Sequence, residues 1–196
     1  MIKGGSHAFI GDKEYWEEKF ACRGDKPLSP EKSLVENIKY FKDGSVLDVA
    51  CGDGRNGLFL MENGFKVTGV DFSSKALERF KIFAERKKYV LNTKQIDLSQ
   101  GSSLKDIGIF DNILINHYKL SSEQLADTEN HITDEGILFI CGFGHKHKVD
   151  HKIKKEDLIQ EADFINIKKL FHLIKYIENE ETGDFLLPIF FAGKYK

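Results

Sequence analysis

Residues 46–57, Val-Leu-Asp-Val-Ala-Cys-Gly-Asp-Gly-Arg-Asn-Gly, carry an apolar run straight into glycines and then into a helix-forming segment. Gly52 and Gly54 let the chain turn sharply and let a ligand approach the backbone, because no Cβ stands in the way. A helix beginning near Arg55 then aims free N–H groups and a positive dipole end at the same point. A strand, a glycine turn and a helix N-terminus in that order make a ligand pocket at the carboxyl edge of an α/β sheet.

The ligand is less narrowly set. Gly52-x-Gly54-x-x-Gly57 fits the dinucleotide pattern, and Asp71 closes the next strand-like run, FKVTGV, where a carboxylate accepts hydrogen bonds from ribose hydroxyls. A nicotinamide dinucleotide and an adenosyl ligand both satisfy this. Two further acids tilt the balance. Asp48 lies inside the first strand, where it either fixes the loop through backbone N–H groups or meets the cationic amino group of a bound amino acid. Asp97, in KQIDLSQ, is placed to accept from an adenine amino group, or serves as a turn carboxylate.

Around this loop the periodicity predicts alternating elements. Lys13–Ala21 is a short amphipathic helix carrying Tyr15, Trp16 and Phe20, and residues 1–12 are loose. Ser29 and Pro30 read as N-cap and N1 of a helix to about Tyr40 that buries Leu34, Val35 and Ile38. Strands are expected at 45–50, 65–70, 89–96, 110–115 and 136–141, with helices at 55–63, 75–88 (capped by Ser73) and 122–132. Alternation of this kind implies right-handed crossovers and a mostly parallel sheet. At the end, 169–177 and 185–194 form a hairpin across the polar turn ENEETGD. The expected fold is therefore a doubly wound, mostly parallel, seven-stranded α/β sheet of Rossmann-like type, with helices on both faces and an antiparallel hairpin at its end. One domain spans 1–196, with 1–44 as an N-terminal helical cap and 45–196 as the cofactor-binding core.

A net charge of −2 offers no global attraction to nucleic acid or an acidic membrane. The first twenty residues lack a long apolar run, and no segment approaches the roughly 18 to 20 apolar residues of a spanning helix, so the expectation is a soluble protein. Cys22, Cys51 and Cys141 are too scattered for a disulfide framework or a cysteine zinc site, which suits a cytoplasmic location. His145-x-His147-x-x-x-His151 sits in a lysine-rich loop and reads as solvated and basic rather than as a metal site.

In order and spacing these motifs resemble the class I S-adenosylmethionine-dependent methyltransferases over about residues 45–196. VLDVACGDGRNGLFL resembles the family's first motif, GVDFSSKALERF its ribose-binding segment, IDLS its adenine-contacting motif and FDNILINHYKL its fourth strand. CGDGRNGLFLMENGFKVTGVD, with the leading YWEEKF, is most similar to the tellurite-resistance and thiopurine methyltransferase-like branch, which acts on small molecules. Ala50 departs from the usual glycine, and only slight adjustment is expected there.

The resemblance implies that Asp48, Gly52 and Gly54 cradle the methionine part of S-adenosylmethionine, with Ala50, Cys51, Arg55 and Asn56 in the same loop. Asp71 would hold the ribose, beside Ser73, while Phe72, Asp97 and Leu98 would border the adenine. Asn116 and His117 would line the methyl-donor side. Tyr15 and Trp16 either close over the cofactor or form the apolar face of a docking helix. Methyl transfer from a sulfonium needs alignment and exclusion of water, and a base only where the acceptor must lose a proton. His117 is the first choice for such a base, ahead of Tyr118 and His145. The expected partner is a small-molecule acceptor, with an anionic one suggested by Lys146, Lys148 and Lys152. Rival readings are a nicotinamide-dependent oxidoreductase and a cofactor-binding protein without transferase activity.

Overall fold

Val46, Leu47, Val49, Ile113, Leu114 and Ile115 have no exposed surface, which requires strands covered on both faces. They lie on β1 (Ser45–Val49) and β4 (Phe110–Asn116), the paired strands at the middle of the sheet. The structure is a computed structural model that describes residues 13–99, 103–150, 153–181 and 184–194. The other strands are β2 (Lys66–Asp71), β3 (Asn92–Gln95), β5 (Ile132–Phe143), β6 (Phe171–Tyr176), β7 (Asn179–Glu181) and β8 (Asp184–Lys194). Their order is β3-β2-β1-β4-β5-β8-β6, with β7 paired to β8 off this path. Strands β1 to β5 pair in parallel, whereas β8 is antiparallel to both β5 and β6.

Period-two alternation divides the interior in two. Leu47 and Val49 join Ile113, Ile115 and Phe191 on one face, and Val46 joins Leu114, Phe80 and Phe190 on the other. The first core is closed by α5 (Ser122–Asp127) and α6 (Ile167–Leu170) through Leu125 and Ile167. The second is closed by α2 (Lys32–Asn37), α3 (Arg55–Glu62) and α4 (Ser74–Arg86) through Leu34, Leu60 and Phe80. A further helix, α1 (Lys13–Cys22), packs on α4. This is the expected doubly wound sheet with helices on both faces and an antiparallel end. Residues 179–181 of the predicted polar turn add an eighth, short strand against the start of β8.

Several boundaries move. The N-cap of α2 is Glu31 rather than Ser29, and the helix stops at Asn37 before a single 3-10 turn over Ile38–Tyr40. Glu31 stays extended because its N–H donates to Asn56 Oδ1 at 2.8 Å, a tertiary bond that overrides the local cap. The predicted apolar stripe shifts with it, since Val35 is 40% exposed while Ser33 and Asn37 are buried. The third strand loses its first half because Tyr89 N–H bonds back to Ala84 and completes α4, leaving Val90 outside. The fifth strand gains residues at both ends, and the helix before it is shorter.

Candidate functional site

The turn after β1 is held by left-handed backbone at Ala50 (φ 55°), Gly52 (φ 55°) and Gly54 (φ 83°). A Cβ at Gly54 would fall 2.0 Å from the Phe80 ring, so only glycine fits there. Ala50 bears a Cβ in a conformation that costs L-residues about 1–2 kcal/mol, a physical reason for the glycine of the family pattern at this position. Asp71, at the end of β2, ties the turn down: Oδ2 accepts from Gly52 N–H at 2.8 Å and Oδ1 from Ser73 N–H at 2.9 Å. Ser73 caps α4 as expected, its Oγ accepting from Ala76 N–H.

The strand acid behaves differently. Asp48 is 1% exposed, and its Oδ2 has no hydrogen-bond partner. The Gly57 backbone amide favours its charged form, while the turn itself is tied down by Asp71. Burial first, and the charge of Asp71 second, push the Asp48 carboxyl up to about 8. Asp71 is raised too, mainly by burial, against the Ser73 and Gly52 amides that favour its charged form. Two buried acids beside a glycine turn are suited to a ligand that brings positive charge.

The far side of the mouth is set by β3 and β4. Ile96 N–H donates to Asp71 O at 2.9 Å, tying the tips of β2 and β3 together. Asp97 follows, accepting from Ser99 N–H and Oγ and pairing with Lys13 of α1, which together hold it down to about 2. Leu98 beside it is buried, and Phe72 is half-buried, its carbonyl accepting from Gln95. Burial raises the Tyr118 hydroxyl, and the charges of Asp97 and Asp71 raise it further, so the three groups share one neighbourhood. A cavity of about 710 Å³ opens beside Leu98 and Tyr118, its rim carrying Glu123, Asp127, Glu156 and Asp157 against Lys119.

Over the turn lies α1. Phe20 covers Gly52, its Cζ 3.1 Å from where a Cβ would stand, and Trp16 stacks on Phe20 with centroids 5.8 Å apart. Glu17 accepts from Ser74 N–H at 2.9 Å. Arg23 and Arg79 both reach buried Asp53, at 2.9 and 3.3 Å, and Arg79 also donates to the Arg23 and Gly24 carbonyls. Tyr15 and Trp16 thus sit on a helix stapled across the tips of β1, β2 and β3.

On the opposite flank, Asn116 and His117 follow β4. Asn116 Oδ1 is buried without a hydrogen-bond partner. His117 is left-handed (φ 54°), its N–H bonded to Cys141 O at 2.8 Å and its ring 5.0 Å from that of Phe143. His117 Nε2 lies 2.9 Å from Glu31 Oε2, and Arg55 Nη2 donates to the same oxygen at 2.7 Å. Sequence reasoning missed Glu31, which it treated as the first turn of a helix, and it missed the Asp53 staple. Among the basic-loop residues, Lys146 pairs with Glu178, His147 is buried against Phe143, and His151 and Lys152 lie outside the described residues. Among the described residues no three His, Cys, Asp or Glu side chains are grouped as a metal ion requires.

The family model described as tellurite resistance protein TehB matches residues 8–134, more than half of the chain. The chain belongs to the TehB family. A protein from Geobacillus sp. (strain WCH70) that carries a methyltransferase name is 28% identical over 147 residues, which is 70% of this chain and 58% of that protein. The chain thus spans less than two thirds of that relative's length. Among solved structures, TehB from Haemophilus influenzae superimposes with a TM-score of 0.70 at 17% identity, covering 91% of this chain and 67% of that one. The N-methyltransferase NodS from Bradyrhizobium japonicum WM9, in complex with S-adenosyl-L-homocysteine, gives 0.67 at 13% identity over 90% and 96%. At these identities the two structures establish a shared fold.

Proposed function

We propose that this TehB-family protein transfers a methyl group from S-adenosylmethionine to a small-molecule acceptor. The observation that carries the reading is Asp48: a fully buried carboxyl with an unpartnered oxygen, beside a glycine turn that a Cβ would obstruct. A dinucleotide brings no cation to that point, whereas the amino-acid end of S-adenosylmethionine brings an ammonium. When bound, that cofactor supplies a methyl group already activated on a cationic sulfur. Asp48 would then hold the ammonium, Asp71 the ribose through its remaining lone pairs, and Leu98 with Phe72 the adenine. Asp97 would meet the adenine amino group while sharing its carboxylate with Lys13 and Ser99. Ala50, Cys51, Arg55, Asn56 and Ser73 support the turn, and Asn116 with His117 faces the reacting end. The chain's own work is to align the acceptor and exclude water, which α1 favours by covering the turn.

Residues 13–44 act in this reading as a cap on a single domain, and the first twelve residues of the expected cap lie outside the described residues. No described helix is long and apolar enough to cross a membrane, and the three cysteines are free, which favours a reducing compartment such as the cytoplasm. An anionic acceptor has less behind it. Lys146 and Lys148 are both exposed, but Lys146 is engaged by Glu178 and the cavity rim is acidic.

A thermal-shift comparison tests the assignment, since a ligand that binds only the folded state raises Tm. S-adenosylmethionine and S-adenosylhomocysteine should each raise Tm, by an amount that grows with concentration, and NAD and NADP should not. The reverse pattern overturns the reading. Release of S-adenosylhomocysteine in the presence of small thiols, amines and phenols separates an enzyme from a protein that only binds the cofactor.

A further inference from the structure

Glu31 is a buried acid whose carboxylate meets both His117 and Arg55. It is 5% exposed, and its backbone is pinned on both sides: its N–H is taken by Asn56 Oδ1, and its carbonyl caps α2 by accepting from Leu34 and Val35 N–H. Burial alone would raise its carboxyl, but the hydrogen bond and charge of His117, with those of Arg55, bring it below the ordinary carboxylate value. The group is therefore an anion held in place, and one of its two partners is an imidazole.

That imidazole is itself set up at some cost. A non-glycine residue at φ 54° stands in the left-handed region that favours glycine, and such residues cluster where function demands them. The His117 side chain remains 29% exposed at the strand tip. Hydrogen bonding of Nε2 to a carboxylate puts the ring proton on Nε2 and leaves the lone pair on Nδ1. The charged and titratable groups around the ring are Glu31 ahead of α2, Arg55 at the start of α3, Tyr118 next in the chain, and His147 behind Phe143. Of these, Glu31 is the one that bonds the ring.

Resting on the methyl-transfer reading above, we propose that Glu31 is a positioning residue for His117, which takes a proton from the acceptor, and that the acceptor is a thiol, hydroxyl or amine rather than a dialkyl sulfide or selenide. The acceptor's X–H proton passes to His117 Nδ1. The lone pair left on X forms the new bond to the methyl carbon, and the electrons of the broken carbon–sulfur bond stay on sulfur as a neutral thioether. The proton on His117 is then released to solvent, so charge and atoms balance. Glu31 stabilises the transient imidazolium and fixes its tautomer, while Arg55 takes a share of the carboxylate's charge.

The test begins on the ligand-free protein. Imidazole titration by NMR, with the His117 signal assigned from His117→Gln, is compared among wild type, Glu31→Gln and Arg55→Met. Losing the anion should move the His117 midpoint to lower pH, and losing the cation should move it to higher pH. Opposite shifts cannot come from general damage, and the arginine variant keeps the test alive should the other fail to fold. With 2-mercaptoethanol, phenol and benzylamine as acceptors, His117→Gln should lower kcat about 100-fold. Glu31→Gln should move the acid limb of the kcat profile to lower pH, and dimethyl sulfide should not be methylated. Failure of S-adenosylhomocysteine to bind wild type refutes the methyl-transfer reading. Binding with unshifted His117 titration, or with full turnover by His117→Gln, refutes the proposal alone.

Discussion

The charge of Asp71 adds to the cost of ionising Asp48, and backbone N–H groups hold the two carboxyls unequally. Asp71 accepts two backbone N–H groups, whereas Asp48 Oδ2 accepts none. Asp48 ionises near 8 in the folded chain, chiefly through burial, against an ordinary 3.8. A raised acid favours folding while protonated, so its contribution is complete below pH 3.8 and lost as pH climbs toward 8. Asp48→Asn should therefore raise the Tm of the ligand-free protein at pH 8 and leave it nearly unchanged at pH 4. The same variant should weaken S-adenosylhomocysteine by about tenfold or more, the loss of a charge-assisted bond. Calorimetry across pH and a binding isotherm check the two halves, and a variant that neither gains stability nor loses affinity removes Asp48 from the site. Both acids were legible in the sequence because their meaning depends on a strand and a glycine turn a few residues away. Glu31 was not. Its partners His117, Arg55 and Asn56 stand 24 to 86 positions along the chain, and only the folded sheet brings them together.

At the scale of elements, legibility followed burial. Strands β1 and β4 were readable as apolar runs because both faces are covered, while β3, an edge strand of Asn-Thr-Lys-Gln with largely exposed residues, gave too weak a pattern to bound. The start of α2 misled because the Ser29-Pro30 signal is local and the Asn56 bond that displaces it is not. Helix α1 was recognisable, but its position over the glycine turn depends on ties to Asp97, Ser74 and Gly52, which come from three separate stretches of the chain. That position is open to a direct optical measurement. Trp16 is the one tryptophan of the chain, and it stacks on the ring that covers Gly52. A ligand settling on the turn must displace or compress Phe20, so tryptophan emission should change saturably with S-adenosylhomocysteine. Phe20→Ala should abolish most of that change while retaining binding by calorimetry. Constant emission through saturation would place the ligand away from α1.

Across the whole molecule, the proposed cofactor residues end at His117, but the last strands decide whether there is a sheet to carry them. Strand β8 inserts antiparallel between β5 and β6, and its neighbouring residues Phe190 and Phe191 point to opposite faces. Both are fully buried: Phe190 lies against Phe139 at 4.6 Å in the core beneath α3 and α4, and Phe191 against Phe164 at 5.7 Å in the core beneath α5 and α6. Each Phe→Ala change should cost about 3–5 kcal/mol, a large part of the roughly 5–15 kcal/mol that holds a domain together. Because the two rings are separated by the sheet and share no core, their costs should add to within about 0.5 kcal/mol despite adjacency in the chain. Urea unfolding of the single variants, and of the pair in the presence of stabilising S-adenosylhomocysteine, measures this. Marked non-additivity would mean that the two faces are one mechanical unit. Additive losses would establish β8 as the partition on which both cores, and so the site at the sheet's carboxyl edge, are separately built.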